Sequence, residues 1–223
     1  MGGRIMEKTV ERAIQRYLKK NFPEDAKRIA ARARELYPGL AAKAPDIGGK
    51  ENILANNVGM FILFISYYEA SDHRLGGKAI DEIIADLYSR FKFLGAFMNS
   101  NHTRTFGLLK RKLYKDYRGY AELVKEKQAR GEWLDTWGMI VDPNNDPESF
   151  SFTLVGCPLV KYAREYGYME LMPHMCALDH AYAKIMHAKL IRTHTAATGA
   201  DSCDYRYVPD KTETARNYTG ITV

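Results

Sequence analysis

The sequence predicts an α+β fold, in which a helical N-terminal half precedes a small antiparallel sheet with packed helices. Two periodicities support this class. Apolar residues recur at helical spacing through residues 10–124, and apolar and polar residues alternate one by one over residues 149–154. A run of helices followed by strands mixed with helices is typical of α+β domains.

We expect three regions along the 223 residues. Residues 1–130 form a helical region, and residues 131–208 form an α+β region that we expect to be continuous with it in one domain. Residues 209–223 are polar and are expected to form a loose tail. A chain of this length buries enough surface for one large domain.

Apolar stripes predict five helices in the helical region, at residues 10–18, 23–37, 53–70, 80–94 and 106–131. The second begins with acidic residues after Pro23 and is expected to end at Pro38, because proline lacks the N–H that a helix interior needs. The third is apolar nearly all round, which predicts a buried central helix.

The rest of the chain shows both the strand periodicity and the helix periodicity. We predict strands at residues 133–141 and 149–154, a turn at 142–147, helices at 158–167 and 174–190, and a hairpin of residues 191–196 and 203–208. Proline suits the first position of a helix and glycine suits its end, so Pro158 and Gly167 mark the limits of the shorter helix.

The composition is that of an ordinary globular protein, with 46% hydrophobic and 27% charged residues. The net charge of +6 is spread over helical segments and interleaved with acidic residues, without a nucleic-acid-binding motif. We therefore expect no nucleic-acid partner. A small-molecule substrate is the expected partner, and a basic chain attracts small anionic substrates.

No membrane partner is expected either. The most apolar run, residues 58–68, is shorter than the roughly 20 residues that cross a bilayer, and residues 1–8 lack the apolar stretch of a signal peptide. The three cysteines lack paired spacing, which favours free thiols and predicts a cytoplasmic protein. The apolar helices at 53–68 and 80–94 could bury a homodimer interface as easily as a core.

Side chains that attack carbon, move protons or bind metal are concentrated in residues 157–203, which hold all three cysteines and four of the six histidines. Cys157 precedes Pro158 at a predicted strand-to-helix junction, where the helix dipole favours a thiolate. The alternative for Cys157 is a small buried hydrophobe at a tight turn.

Cys176, Asp179 and His180 lie three and four residues apart, so one helix would bring all three to one side. This set can supply a nucleophile, a base and an orienting group. A purely structural role is the alternative, because such a trio arises often by chance on a helix.

On the predicted strand at 203–208, alternate residues face opposite sides of the sheet. Cys203 shares one face with two tyrosines, whereas Asp204 and Arg206 share the other. The second pair predicts either a surface ion pair or an anion-binding arginine held by an aspartate. Arg192 on the neighbouring strand is a second candidate cation.

We expect no cofactor, because the cysteines form no CxxC unit of the kind that holds zinc. The alternative is that folding gathers Cys157, Cys176 and Cys203 around a zinc ion. The fourth ligand would then be one of His174, Asp179 and His180.

A set of spaced positions runs through residues 155–207: Cys157-Pro158, Ala163 to Gly167, Glu170-Leu171, Met175 to Asp179, Leu190 to Thr193, Thr195, Gly199 and Cys203 to Tyr207. In this order they resemble the L-2-amino-thiazoline-4-carboxylic acid hydrolase family. Residues 52–120 fit the general layout of that family without a matching motif.

The resemblance implies a hydrolase acting on C–N bonds other than peptide bonds. Such an enzyme adds water at the C=N carbon of a cyclic amidine and gives an N-carbamoyl amino acid. The candidate functional positions that the resemblance carries to this chain are Cys157, Cys176, Asp179, Arg192, Cys203, Asp204 and Arg206. His174 and His180 stand where we do not expect the family to require histidine.

The chemistry of an amidine needs an acid near nitrogen and a nucleophile at carbon. Either Asp179 or Asp204 would bond the amidinium, and either Arg192 or Arg206 would pair with the substrate carboxylate. Cys176 or Cys203 would attack the carbon directly, or a metal-bound water would do so. We favour Cys176, because Asp179 lies one helical turn away, and we place Cys157 and His180 among the substrate-binding residues.

The C-terminal arrangement is also similar to the 4-vinyl reductase domain family, in which cysteines can hold zinc. This similarity supports a second hypothesis from another class. The chain would then be a non-catalytic small-molecule-binding or sensor domain with a cysteine-held zinc.

Overall fold

The structure is a computed structural model that describes residues 2–143 and 145–221, with side chains from residue 7 onward in these ranges. Residue 144, inside the predicted turn, and residues 222 and 223, at the end of the predicted tail, lie outside the described residues. Five α-helices occupy the first part of the chain: α1 (Gly2–Asn21), α2 (Ala26–Ala41), α3 (Ala55–Ala70), α4 (Gly77–Ser89) and α5 (Thr103–Ala129).

Strands and shorter helices follow: β1 (Gly138–Val141), β2 (Phe150–Val155), α6 (Pro158–Tyr166), α7 (Met172–Cys176), α8 (Leu178–Ile185), β3 (Ala188–Ile191), β4 (Ser202–Pro209) and α9 (Glu213–Asn217). The four strands form one antiparallel sheet in the order β1-β2-β4-β3. The predicted α+β class is therefore confirmed. Among the described residues, no helix is both long enough and apolar enough to cross a membrane.

The interior contains two large clusters of buried apolar side chains. The first joins α1–α4 to residues of α6, α7 and β4, with the predicted central helix α3 in its middle. The second lies between α5 and the sheet. Four partly buried side chains pack against both clusters, namely Val58, Cys157, Leu159 and Tyr205. These four side chains mark the place where the two clusters meet, and each of them keeps some solvent-accessible surface.

Two predicted helix limits are wrong. The second helix continues through Pro38 to Ala41, because the Pro38 carbonyl still accepts a bond from the Ala42 N–H at 3.0 Å. The helix predicted over 174–190 is interrupted: α7 ends at Cys176, α8 ends at Ile185, and β3 begins at Ala188. His187 separates α8 from β3 with a φ of 50°, a left-handed conformation that stops a helix.

The limits of the sheet and the tail also differ from the prediction. The strand predicted from residue 133 starts only at Gly138, since Trp133 has a φ of 53° and begins a turn. The expected loose tail contains α9, whose Ala215 packs with Ile191 and Val208 on the outer face of the sheet. Burial of this apolar patch holds a segment that its polar composition predicts to be loose.

Candidate active site

Cys157 stands immediately before α6, with Pro158 in the first turn of that helix. The amide N–H groups of Val160 and Leu159 and the indole of Trp137 donate to its sulfur, which lowers the pKa of the thiol. Burial is the larger influence and raises that pKa overall. Cys157 also lines a cleft of about 580 Å³ at the protein surface.

Thr195 links the other two thiols. Its hydroxyl oxygen lies 3.5 Å from the sulfur of Cys203 and 4.0 Å from the sulfur of Cys176. The Ala196 N–H donates to the Cys203 sulfur at 3.2 Å. Burial is the main cause that raises the pKa of Cys176, and the charges of Asp179, Cys157 and Cys203 add to it. The structure therefore gathers the three sulfurs that are far apart in sequence.

Arg192 is fully buried and every part of its guanidinium has a partner. Nη2 lies 2.9 Å from a carboxylate oxygen of Asp179, and Nη1 donates to the Cys176 carbonyl at 3.4 Å. Nε donates to the Asp204 carbonyl at 3.3 Å, and the guanidinium carbon lies over the ring of Tyr205, 4.2 Å from the ring centre. One cation thus holds Asp179 and the end of α7 in fixed positions.

Asp179 combines a buried environment with an accessible surface. Burial raises the pKa of its carboxyl group, opposed by Arg192 and by a hydrogen bond from Tyr205. Nevertheless, 37% of its side chain is accessible. The burial and the accessibility are compatible, because protein surrounds the Asp179 carboxylate but leaves an open space beside it.

Tyrosines border this space. Tyr182 on α8 is 40% exposed, although burial raises the pKa of its hydroxyl. The pKa of Tyr117 on α5 is raised by burial first, and then by the charges of Tyr182 and Asp179. We call the region around Asp179, Tyr182, Tyr117 and Tyr205 the Asp179 pocket. Of these residues, Tyr205 packs against both apolar clusters.

Asp204 and Arg206 lie elsewhere. The ladder pairs Arg206 with Ile191, so both project from the outer face of the sheet, away from Cys203 and Tyr205. The Asp204 carboxylate accepts bonds from the N–H groups of Thr193 and His194, each at 2.9 Å. Arg206 pairs with Asp146 at 2.6 Å instead of Asp204. The expected Asp204–Arg206 pair is therefore wrong. Asp204 instead stabilises the turn at Thr193 and His194, and Arg206 stabilises the loop that contains Asp146.

The two histidines differ in environment. His174 pairs with Asp81 at 2.9 Å and joins α7 to α4. His180 is half-buried, and its Nε2 is buried without a hydrogen-bond partner among the described residues. Burial lowers the pKa of His180 to about 4, with a further contribution from the nearby cations Arg192, Lys189 and Lys184. His180 does not share the Asp179 pocket, because it projects from another side of α8.

This lowered pKa predicts an acid-sensitive contribution to folding. The folded value lies below the unfolded value of 6.5, so the stabilisation is complete above pH 6.5 and is lost as the pH falls toward 4. A difference of this size corresponds to at most about 3 kcal/mol, because solvent screens the charge of a half-buried imidazole. We expect His180→Leu to lose correspondingly less stability between pH 6.5 and 4 in urea denaturation, with exposed His102→Leu as the control. Equal slopes for His180→Leu and wild type would contradict this assignment.

The arrangement of donors does not fit the zinc alternative. Within residues 2–143 and 145–221, no group of three or more His, Cys, Asp or Glu side chains is placed to hold a metal ion. The thiols of Cys157, Cys176 and Cys203 are neighbours, but Thr195 stands between two of them.

Four site features escaped the sequence analysis: the Thr195 hydroxyl, the Ala196 N–H, the Trp137 indole and the wall of tyrosines. Thr195 was matched only as a position of the resemblance, and no local spacing connects it to the thiols. Trp137 precedes β1, and only the pairing of β1 with β2 brings it to Cys157. The excess of tyrosine, 15 residues, was the one available signal of an aromatic pocket wall.

Comparison with known families extends the resemblance toward the N-terminus. The model of the L-2-amino-thiazoline-4-carboxylic acid hydrolase family matches residues 57–207, from α3 to β4. This range includes the three thiols and the Asp179–Arg192 pair and covers well over half of the 223 residues. Neither curated proteins nor solved structures gave a match. The chain belongs to the L-2-amino-thiazoline-4-carboxylic acid hydrolase family.

Proposed function

We propose that this protein is a cytoplasmic hydrolase that opens a small cyclic amidine carboxylate of the thiazoline type. Water adds at the C=N carbon, the ring bond from that carbon to sulfur breaks, and the sulfur leaves as a thiol. The product keeps both nitrogens on the carbon and is an N-carbamoyl amino acid. The family supports the reaction class, and three free thiols suit a reducing compartment.

The observation that carries this proposal is the double contact of Arg192. The same guanidinium bonds the Asp179 carboxylate and the carbonyl of Cys176. It therefore sets the distance between a proton-transfer group and a thiol, which is what attack on an amidine requires. Arg192 acts as a positioning residue, since its own side chain has no accessible surface for substrate.

Asp179 is the partner of the amidine nitrogen. Its raised pKa lets it hold a proton more readily than an ordinary aspartate, and its accessible surface lets it reach the ring. A bound amidinium offsets the cost of keeping the carboxylate charged inside the protein. Tyr182 and Tyr117 offer aromatic faces to a flat cation at the same place.

Cys176 is the nucleophile. Burial, together with the charge of Asp179, raises the pKa of its thiol to about 12. The resting thiol is therefore protonated, and a cationic substrate beside Asp179 would lower that pKa and favour the thiolate. In this scheme the thiol passes its proton to Asp179 and its sulfur attacks the amidine carbon. The ring carbon–sulfur bond then breaks, and the leaving sulfur takes the proton from Asp179. Water attacks the same carbon and displaces Cys176, one of its protons returns to the Cys176 sulfur and the other goes to nitrogen, and the carbamoyl product is released.

Substrate enters through the cleft of about 580 Å³ that Cys157 lines. Cys157 packs against both apolar clusters and its charge contributes to the raised pKa of Cys176, after burial and Asp179, so the cleft reaches the neighbourhood of the thiols. The expected carboxylate partners do not serve here, because Arg192 is buried and Arg206 projects from the other face of the sheet.

The direct test is to incubate the purified protein with L-2-amino-thiazoline-4-carboxylate and follow new thiol and N-carbamoylcysteine by mass spectrometry. A panel of other thiazolines, cyclic amidines and lactams defines the ring. We expect Asp179→Asn to lower kcat/KM by at least about 100-fold, while Asp116→Asn on the surface of α5 leaves it unchanged. If the folded wild type opens no ring in the panel, the proposal fails and a binding function is favoured.

A further inference from the structure

A groove of about 720 Å³ runs between α4 and α8 and ends against β3. We call it the α4–α8 groove. Its lining includes apolar side chains from facing stripes of both helices and from the strand, namely Ile84, Tyr88, Ala177, Ala181, Ile185 and Leu190. A groove of this size and lining suits a small molecule with an apolar body.

The charged residues of the groove are mostly cationic. Lys92 and Lys184 are exposed and form no ion pair with any residue that the structure describes. Lys189 also lines the groove, but its ammonium group lies over the ring of Tyr218, 5.6 Å from the ring centre. The acidic member, Asp81, is already paired with His174 at 2.9 Å. Two lysines therefore remain available for an anion at the rim.

One polar group in the groove wall also lacks a partner. The Nε2 atom of His180 is buried and makes no hydrogen bond to the described residues, which is a costly state for a polar atom. His180 lies on the same side of α8 as Ala177, Ala181 and Lys184, all of which line the groove. Asp179 precedes His180 by one residue, a rotation of about 100° around the helix, and does not line the groove.

We propose that the α4–α8 groove binds an amphipathic carboxylate, with its apolar chain along the floor and its carboxylate between Lys92 and Lys184. Asp179 does not line this groove, but Tyr88 of the groove is a neighbour of Asp179 and Tyr182, whose charges add to the effect of burial in raising the pKa of Tyr88. The proposed ligand goes beyond the proposed function, and the two sites share α8, which carries both Asp179 and part of the groove lining. Charge complementarity favours a carboxylate over an amine or a neutral ligand.

Octanoate, octanol and octylamine are suitable probes, because they share one apolar chain and differ in the head group. Isothermal titration calorimetry of the full chain should show octanoate binding that weakens with salt, and weaker or no binding of the other two. The double variant Lys92→Ala, Lys184→Ala should weaken octanoate at least about 10-fold, a change of about 1.4 kcal/mol. The matched double variant Lys20→Ala, Lys115→Ala removes two exposed lysines on α1 and α5 and should bind as wild type does.

Two further variants locate the binding. Ala181→Phe fills the floor and should abolish octanoate binding, whereas Cys176→Ala in the proposed active site should leave it intact. Equal affinity for octanol and octanoate, unchanged affinity in the Lys92, Lys184 variant, or retained binding in Ala181→Phe would each overturn the proposal. Because Cys176→Ala is assayed for binding as well as turnover, failure of the groove site and failure of the proposed reaction are distinguishable.

Discussion

Cys176→Ala is expected to lower kcat/KM for ring opening by about a thousandfold or more, because it removes the atom that attacks the amidine carbon. The sulfur lies at the end of α7, where Arg192 ties the Cys176 carbonyl to the Asp179 carboxylate. Steady-state kinetics with the thiazoline substrate measures the loss, and circular dichroism confirms that the variant is folded.

Two comparisons make this result specific. Cys176→Ser keeps the size of the side chain and should lose nearly as much activity, because a hydroxyl is a far weaker nucleophile than a thiolate. The raised pKa of about 12 further predicts slow alkylation of Cys176 by iodoacetamide at pH 8 in the resting protein, and fast alkylation after unfolding. Turnover of Cys176→Ala at the wild-type rate would remove the thiol from the mechanism.

Arg192→Met is expected to cost about 3 kcal/mol of folding free energy, near the lower end for breaking a buried ion pair. The change leaves Asp179 without its cation and the Cys176 carbonyl without a donor. The partial exposure of Asp179, 37% of its side chain, keeps the expected cost at that end of the range. Urea denaturation at pH 7 measures it.

A surface pair supplies the control for Arg192. Arg16 pairs with Asp86, and both side chains are about 40% exposed, at 40% and 39%, so Arg16→Met should cost at most about 1 kcal/mol. The double variant Arg192→Met, Asp179→Leu should be more stable than Arg192→Met alone, because it no longer holds an unpaired buried carboxylate. If Arg192→Met proves as stable as Arg16→Met, Arg192 does not position the site.

Local patterns predicted much of this architecture. The stripe of apolar residues in α4 and the all-round apolar character of α3 identified one amphipathic helix and one buried helix. Pro158 and Gly167 delimited α6, which spans Pro158–Tyr166 with Gly167 in the left-handed conformation. The alternation along β4 separated Cys203, Tyr205 and Tyr207 from Asp204 and Arg206, as the packing confirms.

Predictions failed where one short segment fitted both the periodicity of a helix and that of a strand. Residues 174–190 satisfy a helical stripe, yet the last of them form β3, because pairing with β4 and burial of Leu190 outweigh helix propensity. The tail was misjudged for a similar reason. Its polar composition carries no trace of the apolar patch of Ile191 and Val208 that α9 covers.

The sequence by itself determined the α+β class, the family resemblance and the segment that holds the thiols, since periodicity and residue order are local properties. Only the tertiary structure decided which charged groups meet. Arg192 and Arg206 are equivalent candidates in the sequence, but the predicted strand over residues 191–196 ends at Ile191, and Arg192 directly after it reaches inward to Asp179, whereas Arg206 within β4 reaches outward to Asp146. Contacts between residues far apart in the chain depend on strand register and helix packing, which no local spacing encodes.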